Sequence, residues 1–227
     1  MTVFGLVHGA WQGAWCWDFV AAQLRGRGHE PVAVDLPIED PAAGADAYAQ
    51  VVLATLSGYD DVVLVGHSLG GLTVPLVAHR RPVRRMVLVA PLLPIPGSSF
   101  DQQHAAEPDI LMPGLGAGQT GYPDGSSQWQ PQAAIATLFP DAPSEVAEWA
   151  AGRLRRQHWR VSQEVTPLPA WPGTEVRLIA CAHDSVVNPD WVRRSAKVRF
   201  GAEAQVLPGD HSPFLARPAE LVDLLLS

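Results

Sequence analysis

The sequence predicts an α/β protein built on a parallel sheet with helices on both faces. Short apolar runs, of the length of buried strands, alternate with longer segments that have helical spacing. The central runs, Val62–Val65 and Met86–Val89, are almost entirely Val and Leu, which is typical of parallel strands covered on both faces. This alternation of strands and helices predicts a doubly wound sheet.

The elements follow one another in a regular order. The candidate strands are Val3–Val7, Val32–Val34, Val62–Val65, Met86–Val89, Val176–Ala180 and Ala204–Leu207. The candidate helices are Ala14–Arg27, Ala45–Leu56, Leu69–His79, Trp191–Phe200 and Arg217–Leu226. Because a crossover helix is what allows two consecutive strands to pair in parallel, this order supports the predicted sheet.

The alternation is interrupted over residues 92–172, which we call the cap segment. It includes the Gly-rich run PGLGAGQTGYPDG and ends in TPLPAWPG. Roughly eighty residues are too many for one loop in a compact domain, and Pro131–Phe139 and Pro143–His158 have helical spacing. We therefore expect a core of residues 1–91 and 173–227, with the cap segment as a helical insertion over the sheet.

The composition excludes several classes of protein. Of the 227 residues, 47% are hydrophobic and 17% charged, which rules out intrinsic disorder. The net charge of −7, without a concentrated basic face, argues against a nucleic acid or an anionic membrane as partner. Cys16 and Cys181 supply neither a disulfide framework nor a zinc-ligand set. Because neither a signal peptide nor a transmembrane stretch is recognisable, we expect a cytoplasmic protein.

One motif predicts a nucleophile. Gly66–Gly70 reads GHSLG, a G-x-S-x-G pattern, directly after the run DVVLV and directly before a helical segment. Such a serine sits on a turn too sharp for large neighbouring side chains, which explains the glycines. The turn raises the hydroxyl above the carboxyl end of the sheet, where open α/β folds bind ligands. The alternative interpretation is a glycine-rich turn in which Ser68 is incidental.

A serine nucleophile needs a general base and an acid that orients it. In this strand–turn–helix setting the acid and then the histidine follow the serine along the chain. Asp184 follows the strand VRLIA and His211 follows AQVL, so both belong to the same edge of the sheet as Ser68. Three other carboxylates are interpreted as a turn residue, an exposed helix start and a residue at the wrong end of a strand, namely Asp210, Asp190 and Glu175.

Two backbone N–H groups are expected to stabilise the negative charge that develops on the substrate. One belongs to Leu69, the residue after the nucleophile. The other comes from the loop after the first strand, where His8-Gly9-Ala10 makes Ala10 the natural donor. The alternative is that this loop is an ordinary turn at the end of a strand.

Four segments resemble α/β-hydrolase-fold enzymes: VHGAWQGAWCW, GHSLGG, AHDSVVNPDW and GDHSPFLARPAEL. They are most similar to the small methylesterase and hydroxynitrile-lyase branch, whose members begin at the strand before the HG dipeptide and carry a helical cap. The stretch LFPDAPSEVAEWAAGRLRRQHW also looks similar to that cap. The resemblance implies a mostly parallel six-stranded sheet, a Ser68–Asp184–His211 triad, and no metal or organic cofactor.

Departures from the branch favour an esterase over a lyase. The lyases use a lysine after the catalytic histidine and a threonine in the loop after the first strand, and these positions hold Ser212 and Ala10. We therefore predict hydrolysis of a small to medium apolar or aromatic carboxylic ester, or a lactone, through an acyl-enzyme. Acyl transfer, elimination or cyclisation in a biosynthetic pathway, or a ligand-binding receptor with little turnover, remain open.

Aromatic residues near the motifs and in the cap segment predict the pocket, because apolar pockets are commonly lined by such side chains. The predicted pocket residues are Trp11, His67, Trp129, Trp149 and Trp159. For any single tryptophan the alternative is packing between cap and core. Four arginines of the cap segment are read as a solvated helix face or as a site for an acidic group such as a coenzyme A phosphate: Arg153, Arg155, Arg156 and Arg160. We expect a small-molecule partner and a monomer or homodimer.

Overall fold

A six-stranded sheet forms the centre of the computed structural model, which describes residues 1–227. The strands of the chain are β1 (Val3–Val7), β2 (Glu30–Val34), β3 (Val62–His67), β4 (Arg85–Val89), β5 (Gln119–Gly121), β6 (Ser127–Trp129), β7 (Val176–Cys181) and β8 (Gln205–Leu207). The main sheet has the order β2-β1-β3-β4-β7-β8, and every neighbouring pair in it is parallel. The predicted fold class is confirmed.

Ten α-helices surround the sheet. They are α1 (Asp18–Gly26), α2 (Ala45–Thr55), α3 (Val74–Arg80), α4 (Phe100–Ala106), α5 (Pro131–Leu138), α6 (Ser144–Ala151), α7 (Arg160–Gln163), α8 (Pro189–Phe200), α9 (Pro213–Ala216) and α10 (Pro218–Leu226). Three 3-10 helices cover Ala14–Trp17, Ser68–Leu72 and Pro108–Ile110. None of the helices combines the length and the apolar composition needed to cross a membrane.

The register of the sheet brings the ends of its strands together. Leu6 in β1 lies beside Val65 in β3, which lies beside Val87 in β4. All six residues of β3 are buried, as the continuous apolar run predicts for a strand covered on both faces. Since all the strands point the same way, the loops that follow them meet at one edge, and the predicted catalytic residues lie in those loops.

The cap segment contains structure that the sequence analysis did not predict. β5 and β6 pair as an antiparallel ribbon, with Gln119 opposite Trp129. The expected helix Pro143–His158 ends at Ala151, because the chain becomes extended and Gln157 exchanges two backbone hydrogen bonds with Ser127 at 2.9 and 3.0 Å. Helix α4 was also missed, although Ser99 and Gln102 form a capping box there that the S-x-x-Q spacing would have indicated.

The cap segment contacts the loops at the carboxyl edge of the sheet. The backbone N–H of Arg155 donates to the carbonyl of Trp11, in the loop after β1, at 2.6 Å. The backbone N–H of His158 donates to the carbonyl of Ile38, in the loop after β2, at 2.9 Å. On the other side the Asp141 N–H donates to the carboxylate of Asp210 at 3.0 Å, after β8. These hydrogen bonds join the cap segment to loops on both sides of Gly66–Gly70, which we call the nucleophile turn because it carries the predicted nucleophile Ser68.

Gly71 offers a test of how tightly the nucleophile turn packs on the next strand. A Cβ there would overlap the carbonyl oxygen of Leu92 and lie 3.1 Å from Pro91. We expect Gly71→Ala to lower the free energy of unfolding by about 2 kcal/mol, because backbone cannot move aside as a side-chain end can. That corresponds to a melting temperature roughly 4–8 °C lower, measured by circular dichroism.

The matched control is Gly58→Ala, because a Cβ at Gly58 meets nothing within 4 Å. This variant should melt with the wild type or slightly above it, since alanine restricts the unfolded chain. Equal melting temperatures for the two variants would contradict the close packing at Gly71.

Candidate active site

Ser68 occupies a strained turn between β3 and the 3-10 helix Ser68–Leu72. Its φ is 51°, in the left-handed region that non-glycine residues rarely adopt. A Cβ on Gly66 would lie 2.8 Å from the Val74 side chain, and one on Gly70 would lie 2.7 Å from the carbonyl oxygen of His8. Both motif glycines are therefore required by close packing around the serine, which is the reason inferred from the sequence.

Asp184 and His211 are hydrogen-bonded to each other in loops after β7 and β8. His211 Nδ1 lies 2.8 Å from Asp184 Oδ2 and 3.0 Å from Oδ1. The carboxylate also accepts from the backbone N–H groups of Val186 at 2.8 Å and Val187 at 2.9 Å. Because both side chains are buried and these donors hold the carboxylate in place, Asp184 is able to orient the imidazole and to stabilise its cation.

His67, the residue before the nucleophile, links Ser68 to the His211 loop. Its Nε2–H donates to the carbonyl of His211 at 2.8 Å, and the two rings lie 4.6 Å apart between centroids. Burial, and then the neighbouring His211, hold the pKa of His67 well below its usual range, so its ring is neutral. No hydrogen bond joins Ser68 Oγ to His211, and bonds between a nucleophile and its base are often long or poorly aligned before the substrate binds.

The loop after β1 lies directly against the nucleophile. A Cβ on Gly9 would be 2.9 Å from Ser68 Cβ and 2.9 Å from His67 Nδ1, so only glycine allows this approach. The Ala10 N–H has no hydrogen-bond acceptor within the protein. Leu69 lies in the first turn of its 3-10 helix, where N–H groups point outward without partners. The arrangement offers two backbone donors near Ser68, as an oxyanion site requires.

An apolar cavity of ≈ 220 Å³ opens beside these groups. Ala10, Ser68 and Leu69 line it together with two of the predicted pocket residues, Trp11 and Trp159. A second, more open cavity of ≈ 540 Å³ adjoins it, and the two share five lining residues: Trp11, His104, Leu111, Leu115 and Trp159. Ser68 therefore faces a mainly apolar cavity that continues into the wider one.

Three of the predicted pocket residues do not line either cavity. His67 is buried beneath the nucleophile turn, where it donates to the carbonyl of His211. Trp129 packs edge-on behind Trp11, with ring centroids 5.6 Å apart, and supports the wall from outside. Trp149 packs against Trp15 of the core, with ring centroids 5.3 Å apart. Both tryptophans pack against aromatic residues of the core, as the alternative interpretation expects.

The cavity wall also contains residues that sequence reasoning missed. They are Leu92, Phe100, Asp101, His104, Leu111, Leu115, Ser162, Gln163 and Val186. Only the capping box at Ser99 gave any sign that α4 exists and contributes to the wall. The others come from segments without a motif, so nothing in the sequence distinguishes them from ordinary core residues.

Three of the four arginines of the cap segment form ion pairs, and Arg153 lies over the ring of Trp149. Arg155 pairs with Asp35 and Glu39 at 3.1 Å each, and Arg156 pairs with Asp124 at 2.8 Å. Because α6 ends at Ala151, the residues Arg153, Arg155 and Arg156 lie beyond it and do not form the expected solvated helix face. None of the four arginines lines the cavity beside Ser68, so they form no converging cationic site for a phosphate there.

Comparison with known proteins shows which family the chain resembles over nearly its whole length. The family model described as "Alpha/beta hydrolase family" matches residues 6–224. Methyl jasmonate esterase 1 of Vitis vinifera is 30% identical over 96% of this chain and 93% of its own. Methylesterase 3 of Arabidopsis thaliana is 25% identical over 97% of this chain and 93% of its own.

A solved structure shows the same fold over nearly the full length. A mutant of polyneuridine aldehyde esterase superposes with a TM-score of 0.84 at 21% identity, covering 99% of this chain and 98% of that one. The methylesterase-like resemblance seen in the sequence is confirmed by these relatives. With the family model spanning nearly all of its residues, the chain belongs to the alpha/beta hydrolase family.

Proposed function

We propose that this protein is a serine hydrolase that cleaves small to medium apolar or aromatic carboxylic esters through an acyl-enzyme. The observation that carries the proposal is the cavity wall that Ser68 shares with the unpartnered N–H of Ala10. A nucleophile and an oxyanion donor on one apolar wall are what ester cleavage needs. The esterase names of the relatives support the same reaction class.

Acylation is the first half of the proposed mechanism. His211 Nε2 removes the proton from Ser68 Oγ as the oxygen attacks the ester carbonyl carbon, and the carbonyl π electrons move onto the oxygen. The N–H groups of Ala10 and Leu69 hold that oxyanion, while Asp184 stabilises the imidazolium. When the tetrahedral intermediate collapses, the bond to the alcohol oxygen breaks and His211 gives its proton to the departing alcohol.

Deacylation repeats these steps with water. His211 takes a proton from a water molecule as its oxygen attacks the acyl carbon, and the same two N–H groups hold the second oxyanion. The bond to Ser68 Oγ then breaks and His211 returns the proton to the serine. The products are one carboxylic acid and one alcohol, and the enzyme is regenerated.

The cavities support a substrate with one substantial apolar arm. Trp11, Trp159 and Leu92 surround the space beside Ser68, where an acyl chain or aromatic ring would exclude water. A methyl or other small alcohol would need little further room, and the methylesterase names of the relatives agree with that division. We propose that the cap segment acts as the lid of the cavity beside Ser68.

Cyanide-forming lyase chemistry is disfavoured. The position after His211 holds Ser212, a buried neutral side chain that offers no cation for departing cyanide. Acyl transfer and receptor function remain outcomes of the tests below. A cytoplasmic location, a monomeric or homodimeric state, the absence of nucleic-acid or membrane partners and the absence of a cofactor stay predictions.

Removal of the nucleophile is the first test. We expect Ser68→Ala to lower kcat on p-nitrophenyl and methyl esters by roughly 10⁴–10⁶-fold, because the acyl-enzyme is no longer able to form. A serine-directed fluorophosphonate should label wild type at Ser68, mapped by mass spectrometry, and leave the variant unlabelled.

If Ser68→Ala turned over esters at the wild-type rate, the nucleophile would be misassigned. Tight ligand binding in both proteins, without product from wild type, would favour the receptor interpretation. Products that carry an added alcohol or amine acceptor instead of water would indicate acyl transfer.

The acid is tested by Asp184→Asn. This change keeps the size of the side chain but removes the charge that stabilises the imidazolium, so we expect kcat to fall roughly 10³–10⁴-fold. Asp190→Asn is the matched control, because that exposed carboxylate lies at the start of α8 and its near contact is Arg193 on the surface. Equal activity of the two variants would remove Asp184 from the mechanism.

Neither cysteine should take part in catalysis. Both thiols are buried, and burial raises the pKa of Cys16 and of Cys181 well above the usual value. Since the thiolate is the reactive form, we expect iodoacetamide to leave activity unchanged on the folded enzyme while it alkylates both residues after unfolding. Stoichiometric inactivation of the native enzyme would contradict this expectation.

A further inference from the structure

His8 lies behind the loop that carries the oxyanion donor, and the mechanism above does not use it. Its side chain is completely buried. Nδ1 lies 2.8 Å from the carbonyl oxygen of Gly9, and Nε2 lies 3.0 Å from the backbone nitrogen of Leu36. Both ring nitrogens therefore have backbone partners, on two different loops.

These partners determine which nitrogen of His8 carries the proton. A carbonyl oxygen only accepts, so Nδ1 must carry a hydrogen and donate it to Gly9. A backbone N–H only donates, so Nε2 must be unprotonated and accept from Leu36. Both hydrogen bonds exist together only in the neutral imidazole with its proton on Nδ1.

The surroundings keep His8 in this neutral form. Burial is the main cause that lowers its pKa to about 4, and the nearby Arg155 acts in the same direction. Asp35, with an oxygen 3.9 Å from Nε2, and the hydrogen bond to Gly9 oppose that shift. The net result leaves the ring uncharged at neutral pH.

The hydrogen bond to Gly9 acts on the peptide unit that carries the proposed oxyanion donor. The Gly9 carbonyl and the Ala10 N–H belong to one planar trans peptide, so they point in opposite directions. A donor that fixes the carbonyl end therefore fixes the direction of the N–H end. Hydrogen bonding at the carbonyl also polarises the peptide and strengthens its N–H as a donor.

We propose that His8 is a positioning residue for ester cleavage: its Nδ1–H holds the Gly9–Ala10 peptide so that the Ala10 N–H points to the substrate oxyanion. On the other side of Gly9, its N–H donates to Gln12 Oε1 at 3.3 Å. The loop is thus held at both ends of Gly9, while the Ala10 N–H is left free for substrate. The proposal rests on the proposed function, because it assigns a residue to the same site.

Two substitutions separate the hydrogen bonds of His8. The amide nitrogen of asparagine falls near the place of histidine Nδ1, so His8→Asn retains a donor to Gly9 and loses the bond from Leu36. The amide oxygen of glutamine falls near the place of Nε2, so His8→Gln retains an acceptor for Leu36 and loses the donor to Gly9. Both variants remove the ring, and each serves as the control for the other.

We expect His8→Gln to lower kcat at least about tenfold with KM changed less than twofold, somewhat below the 10²–10³-fold cost of deleting a whole oxyanion donor. His8→Asn should stay within about threefold of wild type. All rates are measured well below the melting temperature of each variant, so that a loss of folded protein does not enter the comparison.

A thionoester supplies the readout that a purely structural role would not move. Its transition state places the negative charge on sulfur, a weak hydrogen-bond acceptor, so the oxyanion donors contribute less. The ratio of kcat/KM for p-nitrophenyl acetate to that for its thiono analogue should fall about tenfold in His8→Gln and remain near the wild-type value in His8→Asn.

An unchanged ratio in His8→Gln, or equal losses of kcat in both variants, would overturn the proposal and leave His8 as a structural residue. Wild-type kcat in His8→Gln while Ser68→Ala is inactive would overturn it without affecting the proposed function. Full activity of Ser68→Ala would overturn the proposed function, and the role of His8 with it.

Discussion

The candidate active site depends on backbone-to-backbone packing between the end of β1 and the turn that follows β3. A Cβ on Gly70 would lie 2.7 Å from the His8 carbonyl oxygen and 2.8 Å from that of Val7. From the other side, a Cβ on Gly9 would lie 2.9 Å from Ser68 Cβ. Without side chains at these two positions, the nucleophile and the oxyanion loop reach a separation that no ordinary packing of side chains would permit. The proposed catalytic geometry therefore depends on the parallel pairing of β1 with β3 and on Gly9 and Gly70 in the loops that follow them.

All the non-glycine residues with strained, positive φ angles lie at this same edge of the sheet. The non-glycine residues with positive φ are Trp11 at 61°, Ser68 at 51° and Ala90 at 44°, and they follow the adjacent strands β1, β3 and β4. Each costs of the order of 1–3 kcal/mol, so the surroundings must hold them in place. Leu92 N–H donates to the carbonyl of Ser68 at 3.0 Å, and Arg155 N–H donates to that of Trp11 at 2.6 Å. The buried sheet and the cap segment together stabilise a conformation that these residues would not adopt alone.

Sequence patterns predict this edge better than they predict the cavity above it. The strand Val3–Val7 was predicted with its observed bounds, and chain order identified Asp184 and His211, which are hydrogen-bonded in the structure. These features depend on local motifs and on the direction of parallel strands. Trp149 does not line the cavity, because the face that a cap residue presents depends on how distant segments pack. The β5–β6 ribbon was missed because strands of three residues, rich in Gly, Ser and Gln, have too few residues to show a period.

Two of the three buried histidines near Ser68 are neutral, and this is a consequence of burial. His8, His67 and His211 are all buried near Ser68, but only His211 is hydrogen-bonded to a carboxylate. The pKa values of His8 and His67 are lowered by desolvation, so both remain neutral and act through directed hydrogen bonds. A cation at His67, whose ring is 4.6 Å from that of His211, would oppose the imidazolium proposed to form during acylation. Neutral histidines that position the backbone, beside one histidine that is able to accept a proton, let three imidazoles share a buried site without mutual repulsion.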